Sequence, residues 1–138
     1  MSQFYSPKLL AMITQEAVMT TQDVANRFYQ LSKDNRWKEV QEELYAPNAV
    51  SIEPPGSESQ GLQNVQGLDA IKKKGEMFEN MVEETYGGYC SEPVIGGKFF
   101  SVAMGMDAKM KGAGRMQMDE IAVYEVKDGK IVKEQFFF

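Results

Sequence analysis

The 138-residue chain contains no histidine and one cysteine, Cys90. The absence of histidine removes the side chain that most often acts as a general base near neutral pH and most often binds metal ions. A single cysteine cannot form an intramolecular disulfide, and Cys90 suits a small apolar position in a strand. Any acid or base in this protein must therefore be a carboxyl, tyrosine or lysine group. We expect no metal and no cofactor.

Long apolar runs and an excess of positive charge are also missing. No segment approaches the ~18 apolar residues of a membrane span, and the short run at residues 9–13 does not suit a signal peptide. The 15 Lys and Arg residues are outnumbered by 20 Asp and Glu residues, whereas nucleic-acid binding depends on clustered basic side chains. We therefore expect a cytoplasmic protein that binds neither membranes nor nucleic acids.

The length of the chain and its hydrophobic content of 43% are typical of one globular domain. Residues 1–18 are only weakly amphipathic, whereas a cleaner helical pattern opens at Met19. We therefore predict a peripheral extension over residues 1–18 and the folded domain over residues 19–138.

Helical periodicity occurs in three segments. Thr20 or Thr21 can cap the first helix, and the second begins near Trp37 and is stopped by Pro47. The third begins after Gly67, and Lys72 to Lys74 are predicted to lie on its solvated side. Three helices thus precede the last third of the chain.

The last quarter of the chain, Phe99 to Phe138, alternates between apolar and polar residues in three segments. Asp128-Gly129 is a typical hairpin turn, and Gly112-Ala113-Gly114 is interpreted as a second turn because no helix follows it, as a phosphate loop would require. Upstream, the Gly87-Gly88 and Gly96-Gly97 pairs bracket a segment predicted to be one strongly bent strand. This order predicts an α+β fold in which three helices wrap on a strongly curved, mainly antiparallel sheet.

The Asp128-Gly129 turn also predicts which side chains share a face of the sheet. A regular two-residue hairpin pairs Val123 with Glu134 on one face. Tyr124 would then lie on the opposite face. Each face mixes large apolar groups with a few polar ones, so both faces are predicted to be covered.

Three strings occur in a familiar order along the chain: LYAPNAVSIEPPG, VQGLDAI and VYEVKDGKIVKEQFF. Together they resemble the NTF2-like superfamily over residues 20–138, and within it the SnoaL-like and ketosteroid isomerase-like groups. The resemblance implies a cone-shaped, cystatin-like fold in which three helices and the curved sheet leave an apolar pocket between them.

The resemblance also implies candidate catalytic residues. In steroid isomerases a carboxylate just before a proline in the first strand moves the proton, and Glu53 occupies that place. A tyrosine on the first helix donates to the enolate oxygen, and the matching residue is Tyr29. The second oxyanion donor of that family, a protonated Asp, corresponds here to Ile121, and Asp119 is the candidate substitute. Glu134 matches a polar, pocket-facing residue of SnoaL-like proteins.

Combined with the predicted register, the resemblance implies a pocket wall and an outer face. The predicted pocket residues are Asp119, Ile121, Val123, Phe136, Phe138 and Trp37. The outer face would join two copies as a homodimer, because relatives commonly dimerise sheet to sheet. The predicted centre of this interface consists of Ala122, Tyr124, Gln135, Met116 and Met118.

Two classes of function remain open on the sequence. In the first, an isomerase or cyclase removes a proton next to the carbonyl group of a small hydrophobic ligand, with Glu53 as base and Tyr29 or Glu134 assisting. In the second, the pocket binds a hydrophobic ligand without turnover, or the fold is a dimeric interaction module. Glu53 equally suits a solvated loop, and Tyr29 an ordinary core position.

Overall fold

The computed structural model describes residues 19–138, so the predicted extension over residues 1–18 lies outside the described residues. The helices are α1 (Thr21–Ser32), α2 (Trp37–Leu44) and α3 (Leu68–Met81). The strands are β1 (Tyr45–Ile52), β2 (Val65–Gln66), β3 (Val82–Cys90), β4 (Val94–Gly96), β5 (Phe99–Met110), β6 (Gly114–Lys127) and β7 (Lys130–Phe137). A short 3₁₀ helix, Ser57–Gln60, lies between β1 and β2.

Local signals explain where the helices begin and end. Thr20 and Asp23 form a reciprocal capping box at the start of α1, in which each side chain accepts a hydrogen bond from the other residue's backbone N–H. Helix α2 passes directly into β1 at Tyr45, so it ends before the predicted stop at Pro47. Helix α3 follows Gly67, whose φ of 96° lies in the region that favours glycine.

The seven strands form one sheet in the order β2-β1-β7-β6-β5-β3, and β4 also pairs with β5. Strands β1 and β7 are parallel, and the other pairs are antiparallel. Register shifts interrupt the β1–β7, β3–β5 and β6–β7 ladders, and such irregularities bend strands. The predicted α+β class, with three helices on a curved and mainly antiparallel sheet, is confirmed.

The helices pack on the inner face of the sheet through an aromatic cluster. The ring centroid of Phe28 on α1 lies 5.3 Å from that of Phe100 on β5 and 4.7 Å from that of Tyr124 on β6. Trp37 of α2 packs edge-on against Phe28 at 5.9 Å. Burying each such ring contributes roughly 1.5–3 kcal/mol, so this cluster is a main source of the attachment of α1 to the sheet.

The last hairpin contains an irregularity that the regular register did not predict. The Asp128-Gly129 turn is present, but the β6–β7 ladder shifts by one residue at Val132. Beyond the shift, Tyr124 pairs with Glu134, and both are buried on the inner face. The prediction that Tyr124 faces outward was wrong, because a one-residue slip exchanges the two faces of a strand.

The segment between the two glycine pairs is also divided differently from the prediction. Gly87-Gly88 lies inside β3, which ends at Cys90, and β4 begins after Pro93. Strands β3 and β4 pair with different parts of β5. The prediction of one bent strand was therefore wrong, since the chain leaves the sheet around Pro93, which cannot donate to a ladder.

The outer face of the sheet is covered by no helix among residues 19–138. Apolar side chains on it include Val94, Tyr89, Phe137, Ile121 and Phe99, which are between 72% and 41% exposed. The expectation that both sheet faces are covered therefore does not hold within the described part of a single chain.

This outer face is composed differently from the predicted dimer interface. Of the predicted centre, Gln135 lies on the outer face, but Ala122 and Tyr124 are buried on the inner one. Met116 and Met118 alternate in step with Tyr124 along β6 and so also belong to the inner side. The extra residue Val132 in β7 explains the difference, because it exchanges the two faces of β6 relative to the predicted register.

Gly105 provides space for a side-chain bridge on the outer face. It lies on β5 directly between Tyr89 of β3 and Asp119 of β6, and the Tyr89 hydroxyl donates to Asp119 across it at 2.7 Å. A Cβ at Gly105 would lie 2.5 Å from the Tyr89 ring and 2.8 Å from the carbonyl oxygen of Met118. The ring and the backbone leave no room for alanine.

We therefore expect Gly105→Ala to lower the free energy of unfolding by about 1–3 kcal/mol, the usual cost of overpacking. Gly87→Ala is the matched control, because a Cβ at that strand position meets no atom within 4 Å. Chemical denaturation of the three proteins measures the difference. Equal stability of the two variants would contradict the packing around Gly105.

Candidate functional site

Glu134, on β7, is buried, and its residue is only 5% exposed. Its two oxygens accept hydrogen bonds from the hydroxyl groups of Tyr45 and Ser51, the latter at 2.6 Å. Both donors lie on β1, the strand that pairs in parallel with β7. Burial raises the pKa of the Glu134 carboxyl, although both hydrogen bonds act in the opposite direction.

An ion pair joins α3 to the residue that follows β1. The Nζ of Lys74 lies 2.8 Å from Oε1 of Glu53, and the two side chains are only 14% and 8% exposed. Lys74 also donates to the hydroxyl of Ser51, which in turn donates to Glu134. A continuous chain of hydrogen bonds therefore connects Glu53, Lys74, Ser51 and Glu134.

Lys74 is inward because of its place on the helix. Residues 71, 74 and 78 lie on one face of α3, and Ile71 is buried at 2% exposure. The Nζ of Lys74 also lies 5.7 Å from the ring centroid of Phe136. The prediction that all of Lys72 to Lys74 are solvated was wrong for Lys74.

A third carboxyl group, that of Glu120 on β6, faces the same interior. Glu120 pairs with Met104 of β5 on the inner side of the sheet and is half-buried. Within residues 19–138, its carboxyl group has no hydrogen-bond partner. Burial, followed by repulsion from Glu53 and Glu134, raises its pKa to about 7, and Lys74 opposes this change.

Two tyrosine hydroxyls accompany these carboxyl groups. Burial and the nearby Glu134 raise the pKa of both Tyr45 and Tyr124 well above the usual value. Both hydroxyls therefore keep their protons over the whole physiological range. Both groups therefore stay neutral beside Glu134, and Tyr45 donates its hydroxyl proton to that carboxyl group.

A groove beside α3 reaches this cluster through Lys74. Its volume is about 240 Å³, below the ~300–1,000 Å³ of drug-sized pockets, so it suits a small ligand. Most of the surface is apolar, and the lining residues are Gly61, Leu62, Lys74, Met77, Phe78, Asn80 and Met81. The ammonium group of Lys74 provides the positive charge in this wall.

The structure brings part of the predicted site together. Glu53 and Glu134 belong to one hydrogen-bonded chain, and Phe136 lies against Lys74 on the same side of the sheet. The catalytic roles assigned to the two carboxyl groups stay predictions, and so does the role of Phe136 in contacting a ligand.

Three predicted pocket residues lie on the other side of the sheet. Asp119, Ile121 and Val123 alternate with the inward residues of β6, and Ile121 is 45% exposed. Phe138 is 57% exposed beyond the end of β7. For the three residues of β6 the predicted inward orientation was wrong, because the extra residue Val132 in β7 exchanges the two faces of β6 relative to a regular hairpin.

The remaining two predicted residues lie on the helices, away from the carboxyl groups. Trp37 packs on Phe28 and donates from Nε1 to Asn35 at 2.9 Å. Tyr29 is half-buried on α1, with the Nζ of Lys33 5.8 Å from its ring centroid. Within the described residues, no hydrogen bond joins the Tyr29 hydroxyl to a carboxyl group of the cluster, and its role stays a prediction.

Sequence reasoning missed Tyr45, Ser51, Lys74 and Glu120 as members of the cluster. Two of them had a usable signal: the spacing of Lys74 from Ile71 places both on one helix face, and Ser51 alternates with Ala49 in a strand. Glu120 and Tyr45 had none, because the bulge in β7 and the parallel pairing of β1 decide their surroundings.

Two further observations concern residues 19–138 as a whole. In this part of the chain, no group of three or more carboxylate or thiol side chains is placed to hold a metal ion. None of its helices combines the length and the apolar character needed to cross a membrane.

Comparison with known proteins gives one family match. The family described as SnoaL-like domain matches residues 19–138. No curated protein matches the chain. The matched range contains every element and every member of the carboxyl cluster described above.

Solved structures show the same arrangement of helices and sheet. A candidate SnoaL-like polyketide cyclase from Mesorhizobium loti is 28% identical, with a TM-score of 0.77 over 87% of this chain and 100% of that one. An NTF2-like protein of unknown function from Burkholderia pseudomallei is 16% identical, with a TM-score of 0.69 over 87% and 92%. A protein with a ketosteroid isomerase-like fold from Catenulispora acidiphila is 11% identical, with a TM-score of 0.63 over 86% and 87%. The latter two show the fold alone.

The raised pKa of Glu120 predicts that the protein loses stability as the pH rises. Between about pH 4.5 and 7 the folded state binds more protons at this carboxyl than the unfolded state does, so the free energy of unfolding falls over that window. Glu120→Gln should reduce the fall between pH 5 and pH 8 by about 1–3 kcal/mol, given ~1.4 kcal/mol per pKa unit.

Thermal or urea unfolding at both pH values measures this effect. Glu79→Gln, at an exposed position on α3, is the matched control and should keep the wild-type decline. The same decline in wild type and Glu120→Gln would show that Glu120 does not carry the pH dependence.

Proposed function

The chain belongs to the SnoaL-like domain family, and we propose that it binds a small apolar carbonyl compound and transfers a proton next to the carbonyl group. The observation that carries this proposal is the cluster of three inward carboxyl groups around one lysine, Lys74, whose residue also lines a mainly apolar groove. Proton transfer at carbon requires a base whose pKa lies near the operating pH, and the pKa of Glu120 is raised to about 7.

Glu120 is the best-suited base of the three. Its carboxyl group has no hydrogen-bond partner within the described residues, and its pKa of about 7 leaves a large fraction ionised at neutral pH while keeping it basic. Glu53 is the second candidate, as its position before Pro54 suggested, but its carboxylate is held by Lys74 at 2.8 Å. The contact with Lys74 occupies Oε1 of Glu53, whereas the Glu120 carboxyl group has no such partner within the described residues.

Glu134 is proposed to assist without contacting the substrate. Its oxygens are occupied by Tyr45 and Ser51, so it holds Ser51 in place against Lys74. The similarity to a candidate polyketide cyclase supports a carbonyl compound as the ligand, because polyketides carry ketone groups. The alternative, binding without turnover, needs the groove but no working base.

Exchange of substrate hydrogen with deuterated water tests this function. In a panel of small apolar ketones and enones, we expect the wild-type protein to exchange the hydrogen next to the carbonyl group. Glu120→Gln should slow this exchange by about 10²-fold or more, whereas the exposed-site variant Glu79→Gln should not change it. Mass spectrometry or NMR of the ketone gives the rates.

The exchange rates also show whether Glu120 or Glu53 is the base, and whether the protein transfers a proton or only binds the ligand. Full exchange by Glu120→Gln with loss in Glu53→Gln would assign the base to Glu53 instead. Ligands that raise the unfolding temperature but never exchange would replace proton transfer by binding alone.

The exposed outer sheet face supports a second proposal, that two copies associate through it. Phe99, Ile121 and Phe137 are each more than 40% exposed on this face, next to the half-buried Val123. Contiguous apolar surface of this kind marks interaction sites, and a self-complementary face forms a two-fold dimer.

Sedimentation velocity at micromolar concentration tests the dimer. We expect a dimer for the wild type and a monomer for the double variant Ile121→Lys with Phe137→Lys, because each interface would bury four added charges. Met77→Lys, at an exposed apolar position on α3, should leave the dimer intact. A monomeric wild-type protein would refute this proposal.

A further inference from the structure

Lys74 is the point where the apolar groove and the carboxyl cluster meet. Its Nζ donates to Ser51, to Glu53 at 2.8 Å and to the backbone oxygen of Gln63 at 3.3 Å. The same side chain forms part of the groove wall. The contact with Gln63 is the longest of the three, so a ligand oxygen can replace it at the smallest cost.

The proposed reaction creates negative charge that needs a partner. When a proton leaves the carbon next to a carbonyl group, the electron pair of the broken C–H bond moves to the carbonyl oxygen. Among the residues that line the groove, Lys74 is the one with a charged donor group.

We propose that Lys74 is a catalytic residue that binds this oxygen and stabilises the enolate, an inference that rests on the proposed proton transfer. A charged donor in a site this buried is worth more than a neutral one, because little water screens it. The preferred ligands are accordingly compounds whose oxygen is anionic or easily ionised, such as enols and phenols.

The step balances in atoms and charge. The Glu120 carboxylate takes the proton and becomes a neutral acid, while the substrate oxygen takes the negative charge next to Lys74. The total charge of the cluster stays the same, so the buried site gains no net charge during the reaction. The Glu53 carboxylate stays paired with Lys74 throughout.

A structural role is the competing explanation for Lys74, since it also neutralises Glu53. The two roles are separated by the ionisation of a bound phenol, which mimics an enol and needs no turnover. The probe is 2-naphthol, whose ionised and neutral forms have different absorption spectra. Titration of the bound probe gives its ionisation constant in each protein.

The variants are chosen to keep the buried charges matched. Lys74→Met with Glu53→Gln removes both members of the ion pair, so no carboxylate is left without its cation. Glu53→Gln alone keeps the ammonium group and removes its competing partner. Lys73→Met removes an exposed lysine one position away on α3 and is the control for loss of a lysine outside the cluster.

We expect the ionisation constant of 2-naphthol bound to the wild type and to Lys73→Met to be at least tenfold greater than in water. Glu53→Gln should increase it further, and the double variant should return it to the value in water or below. An equal ionisation constant in wild type and double variant would overturn the role of Lys74 while leaving proton transfer by Glu120 open. Absence of naphthol binding to the wild type would overturn the role of Lys74, and the exchange of ketone hydrogens would then decide proton transfer separately.

Discussion

The burial of Glu134 is the constraint on which the rest of this site depends. A carboxyl group removed from water is destabilising unless hydrogen bonds replace its hydration. Here Tyr45 and Ser51 provide both donors, and they can do so only because β1 lies parallel to β7. The one parallel pair among the described strands is thus the pair that satisfies the most buried acid.

The hydrogen bond from Ser51 to Glu134 also determines how the neighbouring groups are bonded. Ser51 has one proton to donate, and it gives that proton to Glu134, so its oxygen is left to accept from Lys74. Lys74 in turn holds Glu53. A change at Glu134 would therefore reach Glu53 through two intervening side chains, without any direct contact between the two carboxyl groups.

Acidic groups outnumber basic ones in this interior. Three carboxyl groups surround one lysine, and the lysine neutralises the one it contacts. Burial, followed by repulsion from Glu53 and Glu134, raises the pKa of Glu120 to about 7, and burial also raises the pKa of Glu134. A pKa near neutral pH suits the proton transfer proposed for Glu120.

Local sequence patterns determined the order and kind of the elements. Apolar residues at helical spacing, the cap at Thr20 and the Asp128-Gly129 turn act over a few residues, so their physical effects can be recognised from the chain alone. The final three strands and the third helix follow these signals closely. The position of Glu53 before Pro54 and the inward orientation of Glu134 came from the resemblance.

The composition of the site was decided at longer range. One extra residue in β7, Val132, sets which side of β6 faces inward, and so exchanges Ile121 and Asp119 for Glu120 and Tyr124. Apolar alternation could not reveal this exchange, because β6 carries large apolar groups on both faces. Likewise, Tyr45 meets Glu134 across 89 residues of sequence, through strand pairing that no local pattern encodes. Hydrogen-bonding register between distant strands is a property of the folded chain, and it determines which acids share one interior.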